Sequence, residues 1–333
     1  DLEVASISVD RKELDKANSY KVQELELLNK TLLSSSSGNP KYLSTDFKPS
    51  IDYPVLSWNM SPAIKHQIGG PEGFYLGQAW WKTDVNIRFN RGISLYSSFG
   101  LDIYNNFDNL INSSQSTIPH VRSDIQQYLQ QGKNNIQKIK LEYLGSIKDD
   151  WYLKLEGGLF EEMFGGFGGE VLYRPFDKNY RLGFTLHRVK QRGFKQRFSF
   201  REYETTTGHL ALYYDLPNNI AAQFLAGKYL AGDKGLTIDL SRVFHSGFTL
   251  GIFATKTDLS SEEFGEGSFD KGFYFGIPTK LFYNDYRTGL ISFGLHPLTK
   301  DGGAMLNQHN SLNGILGDTS KENIIDHWED FLD

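Results

Sequence analysis

YLGQAWWKTDVNIRF, residues 75–89, changes character at almost every step. Tyr75, Gly77, Ala79, Trp81, Val85, Ile87 and Phe89 share one face of an extended chain, while Gln78, Lys82, Asp84, Asn86 and Arg88 share the other. Trp80 is the aromatic exception on the polar side. A turn at Asn90-Arg91-Gly92 follows. Ile93, Leu95, Phe99, Leu101 and Ile103 then alternate with Ser94, Ser98, Gly100 and Asp102. Two such strands make a long hairpin with a single apolar face, and that face needs an apolar neighbour.

The period of two recurs along the chain. Ile139, Leu141 and Tyr143 oppose Lys138, Lys140 and Glu142, and after a turn at Lys148-Asp149-Asp150, Trp151, Leu153, Leu155 and Leu159 oppose Lys154, Glu156 and Gly158. Leu182, Phe184 and Leu186 oppose Arg181 and His187; Leu236, Ile238 and Leu240 oppose Thr237 and Asp239; Leu250, Ile252 and Ala254 oppose Thr249 and Thr255; Ile291, Phe293 and Leu295 oppose Ser292 and His296. With less regular runs near 54–68, 166–174, 200–214, 219–230 and 271–283, the count is about twelve to fourteen strands. Turn signals separate them at Pro217-Asn218-Asn219, Gly232-Asp233-Lys234-Gly235 and His245-Ser246-Gly247.

Composition says where such strands can live. The 333 residues are only 39% hydrophobic yet 14% aromatic, with 33 Gly and 10 Pro, and the mean hydropathy is -0.43. No run approaches the 18 or so apolar residues of a membrane helix. Strands of roughly 9–11 residues suffice for a barrel, and closure follows because an open edge in hydrocarbon leaves amides unpaired at several kcal/mol each. The expected fold is an all-β, transmembrane, antiparallel up-and-down β-barrel. Charged residues on the polar faces then line the lumen, and Trp81, Tyr104, Trp151, Tyr173 and Tyr229 form interfacial girdles.

The expected organisation has three parts. Residues 1–50 are a periplasmic helical segment, or the tail of an upstream domain, plus a linker; 11–33 are rich in helix formers and 34–40 read as a stop. Residues 51–305 are the barrel, with an irregular insertion near 105–135 holding a short helix around 121–131, begun by Ser123 or Asp124 and ended by Gly132. Residues 306–333 are a C-terminal extension. An outer-membrane protein is made with a signal peptide, so a chain starting at Asp1 is expected to be processed or a fragment.

Function classes narrow next. Cys is absent, which removes thiol chemistry and disulfides, and a net charge of -5 gives no pull on nucleic acid. Three constellations carry candidate contacts. The first is Glu161-Glu162-Met163-Phe164-Gly165-Gly166-Phe167-Gly168-Gly169-Glu170, where glycines permit close backbone approach and acids can accept from sugar hydroxyls. The second gathers Arg188, Arg192, Arg197 and Arg201 among aromatics, suited either to acidic sugars or to lumenal ion pairs with Glu156, Glu162 or Asp239. The third is the acidic stretch 260–272 with Glu263, Glu266 and Asp270, whose spacing does not match a calcium loop. Glu161 or Glu162 with Asp239 or Glu266 could form a glycosidase pair, but no catalytic motif accompanies them. The expectation is a protein without catalytic residues, metal or cofactor.

LEGGLFEEMFGGFGGEVLYRPFDKNYRLGF (155–184), QRGFKQRFSFREYETTTGHLALYYDLP (191–217), KYLAGDKGLTIDLSRVFHSG (228–247) and TDLSSEEFGEGSFDKGFYFGIP (257–278) together resemble the YjbH/GfcD-like family of outer-membrane proteins associated with exopolysaccharide or capsule production. GFYLGQAWW (73–81) and HPLTKDGG (296–303) extend the likeness more loosely. The resemblance implies a barrel in the bacterial outer membrane that assists export or surface assembly of an exopolysaccharide, or a plugged barrel that binds polymer or partner proteins without conducting. Outer-membrane lipids, an exopolysaccharide and secretion or periplasmic proteins are the implied partners. Family members are often longer lipoproteins, whereas this chain has no lipobox cysteine and ends WEDFLD.

Overall fold

A computed structural model describes residues 4–19, 23–35, 51–70, 73–109, 116–264, 268–282, 290–295, 301–307, 310–326 and 328. The alternating segments form one 13-stranded antiparallel sheet in strict sequence order: β3 (Val55–Gly70), β4 (Gly73–Arg88), β5 (Ile93–Asn105), β6 (Asn135–Lys148), β7 (Trp151–Leu159), β8 (Phe164–Tyr173), β9 (Tyr180–Arg192), β10 (Phe200–Leu216), β11 (Ile220–Lys228), β12 (Lys234–Val243), β13 (Thr249–Thr257), β14 (Asp270–Pro278) and β15 (Leu290–Leu295). Each strand pairs with its neighbours in the chain, the pattern of an up-and-down meander. The sheet curls on itself: Lys65 on β3 forms an ion pair with Glu162 beside β8, far along the ladder. β3 and β15 are not paired with each other among the described residues.

Turn chemistry matches the turn signals. Asn90 accepts from the amides of Gly92 (2.9 Å) and Ile93 (2.8 Å), the local bond that makes Asn a turn starter. Asn218 and Asn219 both take positive φ, 66° and 56°, as a two-residue hairpin turn needs.

The sheet is inverted relative to a soluble protein. Leu101, Leu210 and Ile252 on its outer face are 58%, 65% and 55% exposed, and Leu182, Phe184, Leu236, Ile238, Leu250 and Phe293 stand exposed around them. Lys154, Glu170 and His187 on the inner face are 0%, 1% and 1% exposed. A continuous apolar exterior of this extent suits hydrocarbon rather than water, and the buried charges require a polar interior. Among the described residues no helix is long and apolar enough to cross a membrane; the crossings are made by strands. Thirteen strands fall inside the expected range. Trp151 and Tyr173 pair across the β7–β8 end, ring centroids 5.0 Å apart. Tyr229, expected in a girdle, is instead fully buried, donor or acceptor to the Thr237 hydroxyl at 2.7 Å. Its place just after β11 turns its ring inward, against His209.

The N-terminal region differs from a single helix over 11–33. β1 (Ala5–Ser8) pairs with β2 (Leu32–Ser35), and two short helices, α1 (Arg11–Asn18) and α2 (Glu24–Asn29), lie between them. Asp10 caps α1 through the Lys12 amide, and Glu13 ties the helices together through Lys16 and Lys30 (2.7 and 2.8 Å). These two lysines hold the Glu13 carboxyl down at about 2. Of the expected stop and linker beginning at Ser34, Ser34 and Ser35 belong to β2, and residues 36–50 lie outside the described residues.

Two segments fold into the concave side of the sheet. One is the β5–β6 connection, carrying α3 (Ile125–Gln131), which ends at Gly132 as the sequence suggests. Asp124 holds the N-cap position but makes no capping bond; its carboxylate is committed to Arg201 and His120. The other is the C-terminal stretch. Instead of forming an extension beyond the barrel from 306, residues 301–307 and 310–316 run along the inner face, with α5 (Leu312–Leu316) buried against Tyr152, Leu172, Ala211 and Tyr213. Leu312 and Leu316 are 0% and 2% exposed, each contributing about 1.5–3 kcal/mol of apolar burial. A second apolar cluster joins Val121 and Tyr128 of the insertion to Phe160, Met163, Phe164, Val189, Leu230 and Leu306.

Candidate functional site

The interior is organised by a chain of buried charges that strand register brings together. Lys140 on β6 bridges Glu142 (2.6 Å) and Glu156 (2.9 Å), which face each other across the β6–β7 ladder. Lys154 stands opposite Glu170 in the β7–β8 register, 3.2 Å from it and 3.6 Å from Glu156. His187 on β9 completes the group through Glu156 at 3.0 Å. Like charges at Glu142 and Glu156 are tolerated because Lys140 sits between them.

This network grips the C-terminal segment by its backbone. Lys154 Nζ donates to the Asn310 carbonyl (2.8 Å), and Glu170 accepts from the Leu312 amide (2.8 Å). At the far end of the lumen Glu161 receives Arg122 in two bonds (2.7 and 3.1 Å) and the Asn307 amide (3.1 Å). Asp301 accepts from the Arg122 and Ser123 amides (2.7 and 2.9 Å) and from the Ser123 hydroxyl (2.7 Å). The two inward segments are therefore bonded to each other as well as to the wall.

Of the sequence-derived candidates, Glu156, Glu161, Glu162 and Glu170 all lie in this interior as ion-pair partners. The glycines beside them serve packing: a Cβ at Gly166 would lie 2.1 Å from the Arg188 carbonyl oxygen. The arginines do not pair with Glu156, Glu162 or Asp239. Arg192, 0% exposed, donates to the carbonyls of Ile136, Gln137, Glu161 and Arg197. Arg188 pairs with Glu204 on the exposed side (2.7 Å). Arg201 binds Asp124 (2.6 Å) and stacks over Phe194, while Arg197 is exposed. Register sets Arg188, Arg192 and Arg201 at the β9–β10 end, away from Glu156 and Asp239, while Arg192 reaches the turn that holds Glu161 and Glu162 but donates there to the Glu161 carbonyl. Asp239 stands apart from the network and accepts from Tyr274 (2.9 Å). Glu263 is exposed and bonds Ser260 at the start of α4 (Ser261–Phe264); Asp270 begins β14, and Glu266 lies outside the described residues. Among the described residues no group of His, Cys, Asp or Glu is arranged to hold a metal ion.

Sequence reasoning missed Arg122, Asp124, Asp233 and Asp301 as anchors. Their signal was weak, since each lies in an irregular stretch whose partners are distant in sequence. Asp233 sits in the β11–β12 turn and accepts from the Gly303 amide (2.8 Å). Burial pushes its pKa up, against the bonds from Gly303 and Thr257. Burial acts to lower His120, but the Asp124 carboxylate (3.0 Å) and the Ser116 carbonyl (3.2 Å) outweigh it and raise the imidazole above its ordinary value. For both groups the folded pKa exceeds the unfolded one, so their stabilisation is complete at low pH and is lost as pH rises through the folded value. Hydrogen exchange in detergent is expected to show residues 116–124 and 301–307 less protected at pH 8.5 than at pH 5.5, after correction for intrinsic rates. Equal or greater protection at pH 8.5 contradicts this.

Beside the C-terminal segment a cavity of about 500 Å³ remains, walled by β9–β11 and β13. At the opposite mouth residues 320–322 and Ile325 border a smaller one of about 310 Å³ with residues 176–179 and Asp215.

Apolar exterior, charged interior and an up-and-down antiparallel sheet define a membrane-spanning β-barrel fold whose concave side holds two of the chain's own segments. A family model described as exopolysaccharide biosynthesis protein YbjH (YjbH) matches residues 1–317, and the chain belongs to that family. It is 35% identical over 280 residues, 81% of its length, to an uncharacterized lipoprotein, YjbH, of Escherichia coli strain K12. The chain spans about 40% of that relative's length. Among solved structures it is similar to a Salmonella typhi OmpF complex with daunomycin, with a TM-score of 0.38 and 11% identity over 74% of this chain and 91% of that one. Likeness to OmpT of Vibrio cholerae, in vitro folded, has a TM-score of 0.32 and 9% identity over 77% and 92%. At such scores the barrel assignment rests on the strands themselves.

Proposed function

We propose that this chain is an outer-membrane barrel serving export or surface assembly of an exopolysaccharide, and that it does so in a plugged state, as a docking and polymer-binding element. The observation that carries the plugged state is the grip of Lys154 and Glu170 on the backbone of residues 310–312, deep among buried charges. Family membership supports the polysaccharide, and the apolar exterior supports the membrane. Short turns gather at the mouth where β3 begins and residues 320–325 emerge; in outer-membrane barrels short turns face the periplasm. That orientation supports a proposal in which periplasmic or secretion partners dock at that mouth and polymer is met at the other.

A gated conduit is the second reading, favoured by the cavity left beside the C-terminal segment. Single-channel recording separates the two. The unsubstituted chain in a planar bilayer is expected to stay closed, and cells lacking it to lose surface exopolysaccharide. Steady wide openings would overturn the plugged state, and unchanged surface polymer would overturn the export role.

A further inference from the structure

The cavity between the C-terminal segment and the wall differs chemically from the rest of the lumen. Elsewhere the inner face carries paired charges; here it is lined by the hydroxyls of Thr185 and Thr207, the imidazole of His209, the amide of Gln223, and the rings of Tyr213 and Phe253. Register explains the assembly. His209 stands opposite Thr185 on β9 and opposite Gly227 on β11, and Tyr213 stands opposite Gln223, so these side chains share the inner face. Ala211 lines the space with only a methyl group, while its ladder neighbour Gly183 is covered by the Tyr213 ring.

His209 is 7% exposed, and its ring is set edge-on against Tyr229. Its Nε2 is buried with no hydrogen-bond partner among the described residues, a deficit that a small turn of the ring toward the cavity would let a polar ligand relieve. The Thr185 hydroxyl accepts from the His209 amide and keeps its own proton to donate, while Thr207 donates to the Lys228 carbonyl and keeps lone pairs to accept. The Arg122 guanidinium bordering the space is already engaged by Glu161 and the Met305 carbonyl, and the His187 ring is held by Glu156. Asp270 adds an acid to the wall.

We infer that this cavity is a binding site for a short, uncharged stretch of oligosaccharide. Sugar hydroxyls both donate and accept, which matches neutral groups of both kinds beside aromatic faces, and about 500 Å³ is within the range of small-molecule sites. An anionic sugar would find no uncommitted cation in the lining named here and would meet Asp270. The inference rests on the export reading for the choice of a sugar.

The test titrates the chain in detergent micelles with neutral trisaccharides of glucose, galactose and mannose, and with trigalacturonate, by calorimetry. At least one neutral trisaccharide is expected to bind, with trigalacturonate at least tenfold weaker. Gln223→Ala, at a half-buried position, is expected to weaken binding about tenfold, the equivalent of one lost hydrogen bond. His209→Phe, which removes both ring nitrogens and keeps a ring of similar size, is expected to weaken it by a similar factor. Failure of every neutral trisaccharide to bind, preference for trigalacturonate, or unchanged binding by both variants would overturn the inference. Surface exopolysaccharide in cells producing Gln223→Ala is scored separately: normal export with no binding in vitro defeats the cavity site while the export role stands.

Discussion

Ile252→Lys is expected to abolish stable insertion of the barrel into a bilayer. Ile252 lies near the middle of β13, 55% exposed, between Leu240 on β12 and Phe273 on β14, both on the outer face. A lysine near the bilayer midplane of a barrel costs about 2–4 kcal/mol, a large part of the few kcal/mol that separate folded from unfolded protein. In a soluble protein the same change at an exposed site would be nearly silent. The measurement is the folded fraction recovered on dilution from urea into lipid vesicles. Recovery equal to that of the unsubstituted chain would mean that this surface does not meet hydrocarbon.

The second large effect is expected from Lys154→Met. Lys154 is fully buried and serves Glu156, Glu170 and the Asn310 carbonyl at once. Glu156 keeps Lys140 and His187 after the change, but Glu170 keeps only the Leu312 amide, and its Oε1 already has no partner among the described residues. Removing one member of a buried ion pair costs about 3–5 kcal/mol because the other charge is left uncompensated. Urea unfolding in lipid should show that loss, and single-channel records should show openings as residues 310–316 detach. The double change Lys154→Met with Glu170→Gln should recover most of the stability, since no lone charge is then buried. A double variant as unstable as the single one would contradict the pairing. By comparison, Asp239→Leu is expected to have a small effect, because its described bond is one hydroxyl from Tyr274 outside the network.

The strands were legible in the sequence because alternation is a local signal. Val85, Ile87, Leu101 and Ile252 each announce their face through neighbours one residue away, and Asn90 and Asn218 announce their turns by backbone chemistry alone. The pairing of charges was not legible. That Lys154 meets Glu170, or Glu142 meets Glu156, depends on register between strands, and nothing in a single strand fixes it. The least legible feature was the path of residues 301–307 and 310–316. Leu306, Leu312 and Leu316 look like a short apolar stretch suited to any surface, and only the curled sheet supplies the wall they bury against. Tyr229 misled for the same reason: an aromatic at a strand end suits a girdle, and only the three-dimensional turn sends it inward.

Thirteen consecutive spans carry a chain from one water compartment to the other, so the start of β3 and the close of β15 open onto opposite faces of the membrane. Residues 301–307 and 310–325, passing back through the hollow without joining the ladder, supply a fourteenth traverse. Antibody epitopes placed before Val55 and at Ile325 would thus be reached from the same compartment.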